Sequence, residues 1–261
     1  MPAIFFGHSS PMNAIEENRY TATWRALGHA VPRPRAILAI SAHWTTDGTA
    51  VTAMPSPATI HDFGGFPQAL FDIRYPAPGE PALAARIAAL LQPLAVRLDQ
   101  EWGLDHGTWS VLVNAFPDAD IPVLQLSIDA TRPAAYHYEL GRRLAALRHE
   151  GILIIGSGNV VHNLRLLQRA GAPTPAWAER FNDTVRDALQ RKDFTALIDE
   201  ASWGQDAHLS VPTIEHYLPL LYVIGTLRDD EDITIAVDGI ELGAISMLTA
   251  VIGAVEGRVA E

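Results

Sequence analysis

The sequence predicts an α/β fold: a single domain over residues 1–261, with a central mixed, mainly parallel sheet flanked by helices. Two observations carry this expectation. Short apolar runs rich in β-branched residues alternate along the whole chain with longer segments of helical periodicity, which is the pattern of helices packed on a sheet. Several of the short runs are apolar at every position rather than every second one, as strands covered on both faces are. No repeat, linker or low-complexity tract divides the chain.

Taken in order, the strands are expected at Ala3–Phe6, Ala36–Ser41, Ala50–Ala53, Val123–Ile128, Ile152–Ile155 and Ile233–Val237. Helical periodicity falls between them. The segment Pro81–Leu91 opens with proline at a first-turn position and continues with an Ala/Leu face. A second helix is expected over Ala134–His149. A third, Ala176–Gln190, sets Glu179, Arg180, Asp183, Arg186 and Asp187 around Phe181, Val185 and Leu189, giving a charged outer face and one buried stripe. The last, Pro212–Leu227, precedes the final strand.

With 261 residues, 48% of them hydrophobic, the chain can bury a sizeable core. Its net charge of −11 repels phosphate backbones, so nucleic acid is not an expected partner. The apolar stretch Leu218–Leu227 is too short to span a bilayer, and no membrane partner is expected. There is no cysteine, which excludes disulfides, thiolate metal sites and a cysteine nucleophile. Residues 1–7 lack the basic start and cleavage site of a secretory signal, so the expected address is cytoplasmic. No heptad or unmatched apolar stripe indicates a subunit number. There is no G-x-S-x-G elbow and no phosphate-binding G-K-[ST] loop. The run Gly156-Ser-Gly-Asn-Val-Val lacks the third glycine and the acidic partner of a dinucleotide site.

Histidines carry the chemical signal. His8, His43 and His162 each follow an apolar strand, and in open α/β sheets ligands bind at the carboxyl ends of strands. A lone histidine there is usually a hydrogen-bonded loop residue; three at equivalent edges are expected to share a site. Small neighbours (Gly7, Ser9, Ser41, Ala42, Gly156, Gly158) leave room for a ligand. Neutral imidazole is a common ligand for zinc, iron and similar ions. Glu215 and His216 sit side by side, and adjacent helical positions point about 100° apart, so only one of the two can face a metal, the alternative being a polar pair at a helix start where Glu215 complements the dipole. His106 lies among glycine, Asp105 and two tryptophans, on a segment that reads as a loop entering a helix. It suits proton transfer to an aromatic ligand, the alternative being a buried histidine satisfied by Asp105. His29, His137 and His149 read as surface residues, His61 as part of a loop that could cover a pocket, and His208 as a loop residue. Trp44, Phe63, Phe66 and Trp109 are available as walls for an aromatic ring or as core.

Five motifs then occur in order: Gly7-His-Ser-Ser-Pro-Met12, Ser41-Ala-His-Trp44, Leu104-Asp-His-Gly-Thr-Trp109, Gly156-Ser-Gly-Asn-Val-Val-His-Asn163 and Glu215-His-Tyr-Leu-Pro-Leu220. Together they resemble the 4,5-DOPA extradiol dioxygenase family, within the class III (LigB-like) ring-cleaving dioxygenases. The resemblance implies an α/β domain with one metal at the sheet's carboxyl edge. Fe(II) is the implied working metal, with Zn(II) as an occupant of the isolated protein. It implies His8, His43 and His216 as ligands, Glu215 as the alternative third, and His162 as either a fourth ligand or a catalytic acid/base. His106 becomes a catalytic residue assisting proton transfer. The implied partners are a small aromatic diol, L-DOPA-like or related, and O2. Val211 stands where the family commonly has histidine, which bears on the substrate. Two other readings of the same residues are a zinc-dependent hydrolase and a non-catalytic binding protein on this scaffold.

Overall fold

The computed structural model describes residues 1–255, and among these eight strands form one sheet. They are β1 (Ala3–Gly7), β2 (Ala36–Thr46), β3 (Thr49–Thr52), β4 (Val96–Asp99), β5 (Val123–Asp129), β6 (Ile152–Gly158), β7 (Ile233–Val237) and β8 (Thr249–Ile252). Their spatial order is β4-β3-β5-β2-β6-β1-β8-β7. The inner four, β5, β2, β6 and β1, run parallel. β8 is antiparallel to β1 and β7 to β8, while β3 meets β5 antiparallel. The sheet is therefore mixed and parallel at its centre, as the all-apolar strands predict.

The helices used below are α1 (Arg19–Ala30), α2 (Pro81–Leu90), α3 (His106–Ala115), α4 (Ala134–Leu144), α5 (Ala176–Arg191) and α6 (Leu218–Gly225). They cover both faces. Ile4, Phe6, Ile37, Ala39, Leu153 and Ile155 point into a core shared with Trp24 and Leu27 of α1 and with Trp109 and Leu112 of α3. Their strand neighbours Ala3, Phe5, Leu38, Ile40, Ile152 and Ile154 point into a second core. That core includes Leu140 of α4, Val185 of α5 and Leu221 of α6. Alternate residues of one strand thus serve two separate cores, which is why the core-facing runs of β1, β2 and β6 carry no polar face.

Each inner strand runs past its predicted end, β1 to Gly7, β2 to Thr46 and β6 to Gly158, so the small residues before the histidines are still strand. The predicted helix Ala134–His149 divides at Ala145 into α4 and a short helix Ala146–His149. The predicted helix Pro212–Leu227 begins only at Leu218, with proline in its first turn. Residues 212–217 form turns instead. α1 escapes the sequence reading although its cap is well formed: the Asn18 side chain accepts from the Tyr20 and Thr21 amides, and Thr21 accepts from the Asn18 amide. His137 corrects an expectation. It is fully buried rather than at the surface, with Nδ1 2.9 Å from the Tyr222 hydroxyl. His208 likewise lies in a short helix, Gln205–Ser210, rather than in a loop. Among the described residues no helix is long and apolar enough to cross a membrane.

Candidate metal centre

The carboxyl ends of β1 and β6 are held side by side, with Phe6 opposite Ser157 and Gly7 opposite Gly158. His8 is the next residue after β1 and is almost completely buried. Gly7 is required there, because a Cβ on it would come within 2.6 Å of the Met247 backbone. The Ser157 hydroxyl donates to the Gly107 carbonyl, so its oxygen is left to accept from His8 Nδ1 at 3.0 Å. This fixes the His8 tautomer: Nδ1 carries the proton and Nε2 the lone pair.

His43 lies inside β2, where the register against β5 slips between Ile40 and Thr45. A bulge of this kind re-aims side chains at a sheet rim. Here it brings His43 Nε2 to 3.1 Å from His8 Nε2. His216 precedes α6. Its Nδ1 lies 3.1 Å from Glu215 Oε1, and its Nε2 is buried without any hydrogen-bond partner. His8, His43 and His216 each present a ring nitrogen within 4.8 Å of the others.

The electrostatics suit a cation. Burial, reinforced by the neighbouring imidazoles, pushes His8 and His43 well below the ordinary imidazole range, so both are neutral near pH 7. Burial alone would raise Glu215. Hydrogen bonds from His216, its own backbone and Thr213 outweigh it and hold the carboxylate at about 2. An anionic Glu215 keeps the His216 proton on Nδ1. Two nitrogens facing each other and a third buried and unpartnered leave a cost that an unsatisfied group cannot avoid. A divalent ion accepting all three lone pairs removes it, and three imidazoles are a chemically suitable donor set for such an ion.

His162 stands apart from this group of three and forms another with Glu215 and His216. Its ring stacks on His216 with centroids 3.5 Å apart and planes 9° from parallel. Lone pairs of imidazole lie in the ring plane, so those of stacked rings run side by side rather than converging. Burial, then His216, lowers His162 to about 3.

His106 opens α3, with its ring centroid 3.9 Å from that of His43 and 5.8 Å from that of His8. Asp105 does not serve it. Asp105 caps α3 through the Thr108 amide and pairs with Gln125 at 2.7 Å, and burial raises its carboxyl. The partner is Asp62, which the sequence reading missed. Oδ1 of Asp62 accepts from the His106 amide at 2.9 Å. The same oxygen lies 3.0 Å from His106 Nδ1 but off the axis of the ring N–H, so this second contact is electrostatic rather than an aligned hydrogen bond. The available signal was its place in the loop His61-Asp-Phe-Gly-Gly-Phe-Pro67, noted for His61 alone.

Of the aromatic residues, Phe63 meets His106 edge-on at 5.5 Å and Phe66 packs on Phe63 at 5.4 Å. Trp109 is fully buried, and its Nε1 donates to the Ile60 carbonyl at 2.7 Å, so it supports the loop from behind. Trp44 stacks on Trp102 with planes 3° apart. His61 sits in the same loop against Trp109, with Nε2 3.1 Å from the Ile73 carbonyl.

Residues 5–240 match the family described as the catalytic LigB subunit of aromatic ring-opening dioxygenase. The chain is 55% identical to the 4,5-DOPA dioxygenase extradiol of Escherichia coli K12, covering 97% of this chain and 95% of that one. It is 36% identical to the 4,5-DOPA dioxygenase extradiol of Beta vulgaris, covering 87% of each. The crystal structure of an uncharacterized Escherichia coli K12 protein superposes with a TM-score of 0.85 at 50% identity, covering 97% of this chain and all of that one. The chain belongs to the LigB family of aromatic ring-opening dioxygenases. Within it, this is an enzyme of the extradiol ring-cleaving kind.

Proposed function

We propose that residues 1–261 act as one catalytic domain that opens the ring of a catechol beside its two hydroxyls, using O2 and a metal held by His8, His43 and His216. The observation that carries this reading is the convergence of three imidazoles, one of them with a buried nitrogen that no other described group satisfies. When bound, a divalent metal supplies a Lewis acid for the diol and an electron relay to O2, with Fe(II) as the working ion and Zn(II) as a substitute in isolated protein.

The chain's own residues supply the rest. Ser157 and Glu215 hold His8 and His216 by their Nδ1 atoms, so that each Nε2 is free. His106, beside His43, takes a proton from a diol hydroxyl and returns it as the ring opens. His162, stacked behind His216, is neutral and open to a second proton transfer. The edge-on pair Phe63 and Phe66 offers an apolar wall for the aromatic ring. Both atoms of O2 enter the product, an unsaturated acid with a terminal carbonyl. The names of the bacterial and plant relatives favour a DOPA-like substrate.

The test is to load metal-free protein with Fe(II) under anaerobic conditions, add L-DOPA or protocatechuate, and admit air. Oxygen uptake with a yellow semialdehyde is expected. No uptake and no colour across a panel of catechols refutes the reading.

A further inference from the structure

Among the described residues, Asp62 is the carboxylate whose two oxygens face two different histidines of the site. Oδ1 accepts from the His106 amide at 2.9 Å and lies 3.0 Å from His106 Nδ1, while Oδ2 lies 3.6 Å from His43 Nδ1. His43, Asp62 and His106 together form a cluster whose ligating atoms lie within 4.8 Å of one another. His43 is the only member of the proposed ligand set whose Nδ1 lacks another anchor: Ser157 takes that of His8 and Glu215 that of His216.

We infer that Asp62 is a positioning residue that sets the tautomer of both His43 and His106, holding the proton on each Nδ1 and leaving each Nε2 free. The inference rests on the ligand and proton-transfer roles given above. Neither contact is an aligned hydrogen bond, but a carboxylate this close attracts a ring N–H and repels an Nδ1 lone pair, so a protonated Nδ1 is favoured on both rings. For His43 the result is an Nε2 lone pair directed at His8 Nε2, the place where the three nitrogens converge. For His106 it is an Nε2 able to accept a proton from substrate.

Asp62 also sits between His61 and Phe63. Trp109 Nε1 donates to the Ile60 carbonyl and His61 Nε2 approaches the Ile73 carbonyl, so the start of this loop is tied down on the amino side of Asp62. Phe63 then reaches His106 edge-on. Beyond it, Gly64 and Gly65 have open space around them, and Gly65 holds a φ of +78° that favours glycine. One side chain therefore ties together a metal ligand, a proton-transfer histidine and the loop that bears the aromatic wall. A carboxylate partner of a ligating imidazole is worth about ten- to a hundredfold in metal affinity or activity.

The experiment uses the full chain, with ¹⁵N spectra of the histidine rings at pH 8 and a chelator competition for Zn(II). In the parent protein, His43 and His106 are expected to show the Nδ1–H tautomer; finding both protonated on Nε2 overturns the inference without any variant. Asp62→Asn keeps the size but can set an amide donor against Nδ1. It is expected to shift the His43 and His106 tautomers, leave the His8 signals in place, and weaken Zn(II) binding about ten- to a hundredfold. Asp62→Glu, which keeps the carboxylate, is expected to recover part of both changes. Unchanged tautomers and unchanged affinity in Asp62→Asn overturn the inference. A parent that shows these tautomers and binds Zn(II) yet opens no catechol refutes the functional reading instead, and the two failures are distinct.

Discussion

The two ends of β1 hold buried polar clusters of opposite character. At the amino end, Arg148 is buried and every direction of its guanidinium is used. It donates to Met1 O at 2.8 Å, to Thr226 O at 2.7 Å and to both oxygens of Glu231, the pair joined at 2.7 and 2.5 Å. The cluster binds the start of the chain to the turn after α6 and to β7. At the carboxyl end, His8 and His43 face each other through nitrogens, and His216 Nε2 has no partner at all. A structural cluster closes its hydrogen bonds within the chain. A ligand site leaves lone pairs converging on a point that the chain does not fill.

The largest test of that contrast is His43→Ala. Removing one of three converging imidazoles is expected to abolish both bound metal and ring-opening activity, with the fold retained by circular dichroism. Retained stoichiometric metal contradicts its ligand role. His106→Ala comes next. Turnover is expected to fall about a hundred- to ten-thousandfold, with metal content measured by elemental analysis nearly unchanged, because this ring carries protons rather than the ion. At the other end, Arg148→Met strands the Glu231 carboxylate in a buried place. A loss of about 3–5 kcal/mol in urea unfolding is expected, with metal stoichiometry of the folded fraction preserved.

Acid sensitivity separates the two ends more gently. The folded values of His8 and His43 are depressed by burial, so the metal-free protein has their contribution in full above the unfolded imidazole value of about 6.5 and loses it as pH falls below that. Glu231 is also depressed. Burial opposes this, but hydrogen bonds from Arg148 and the Arg228 amide outweigh it. Its contribution is complete above about 4.3 and is lost as pH falls through the folded value. Melting of the metal-free protein against pH is therefore expected to show a first decline near pH 6 and a second below about pH 4.5. His8→Gln should flatten the first and Arg148→Met the second.

These contrasts also explain how much was legible in the sequence. The inner strands were visible because both their faces are buried, and their apolar runs have no other purpose. β4, with the sequence Val-Arg-Leu-Asp, was not, because as an edge strand with exposed Arg97 and Leu98 it carries no such run. α3 was legible only at its start, as a loop entering a helix at His106; buried on nearly every side, it lacks the amphipathic stripe that marks the extent of a surface helix. His137 looked exposed among tyrosines and arginines, yet α6 covers it through Tyr222. Of the candidate metal ligands, His8 and His43 were readable from their place after strands, while His216 was singled out from Glu215 only by the family resemblance. Among the groups beside their Nδ1 atoms, Glu215 is the sequence neighbour of His216, whereas Ser157 and Asp62 reach His8, His43 and His106 from distant segments that no local pattern reveals.

The central claim is that one ion belongs where His8, His43 and His216 converge. An anomalous difference map, recorded at the absorption edge of the metal on crystals of the loaded protein, tests it most directly. One peak per chain is expected, within bonding distance of a ring nitrogen from each of these three residues. A peak held instead by His162 and Glu215, or no peak at this end of β1, contradicts it.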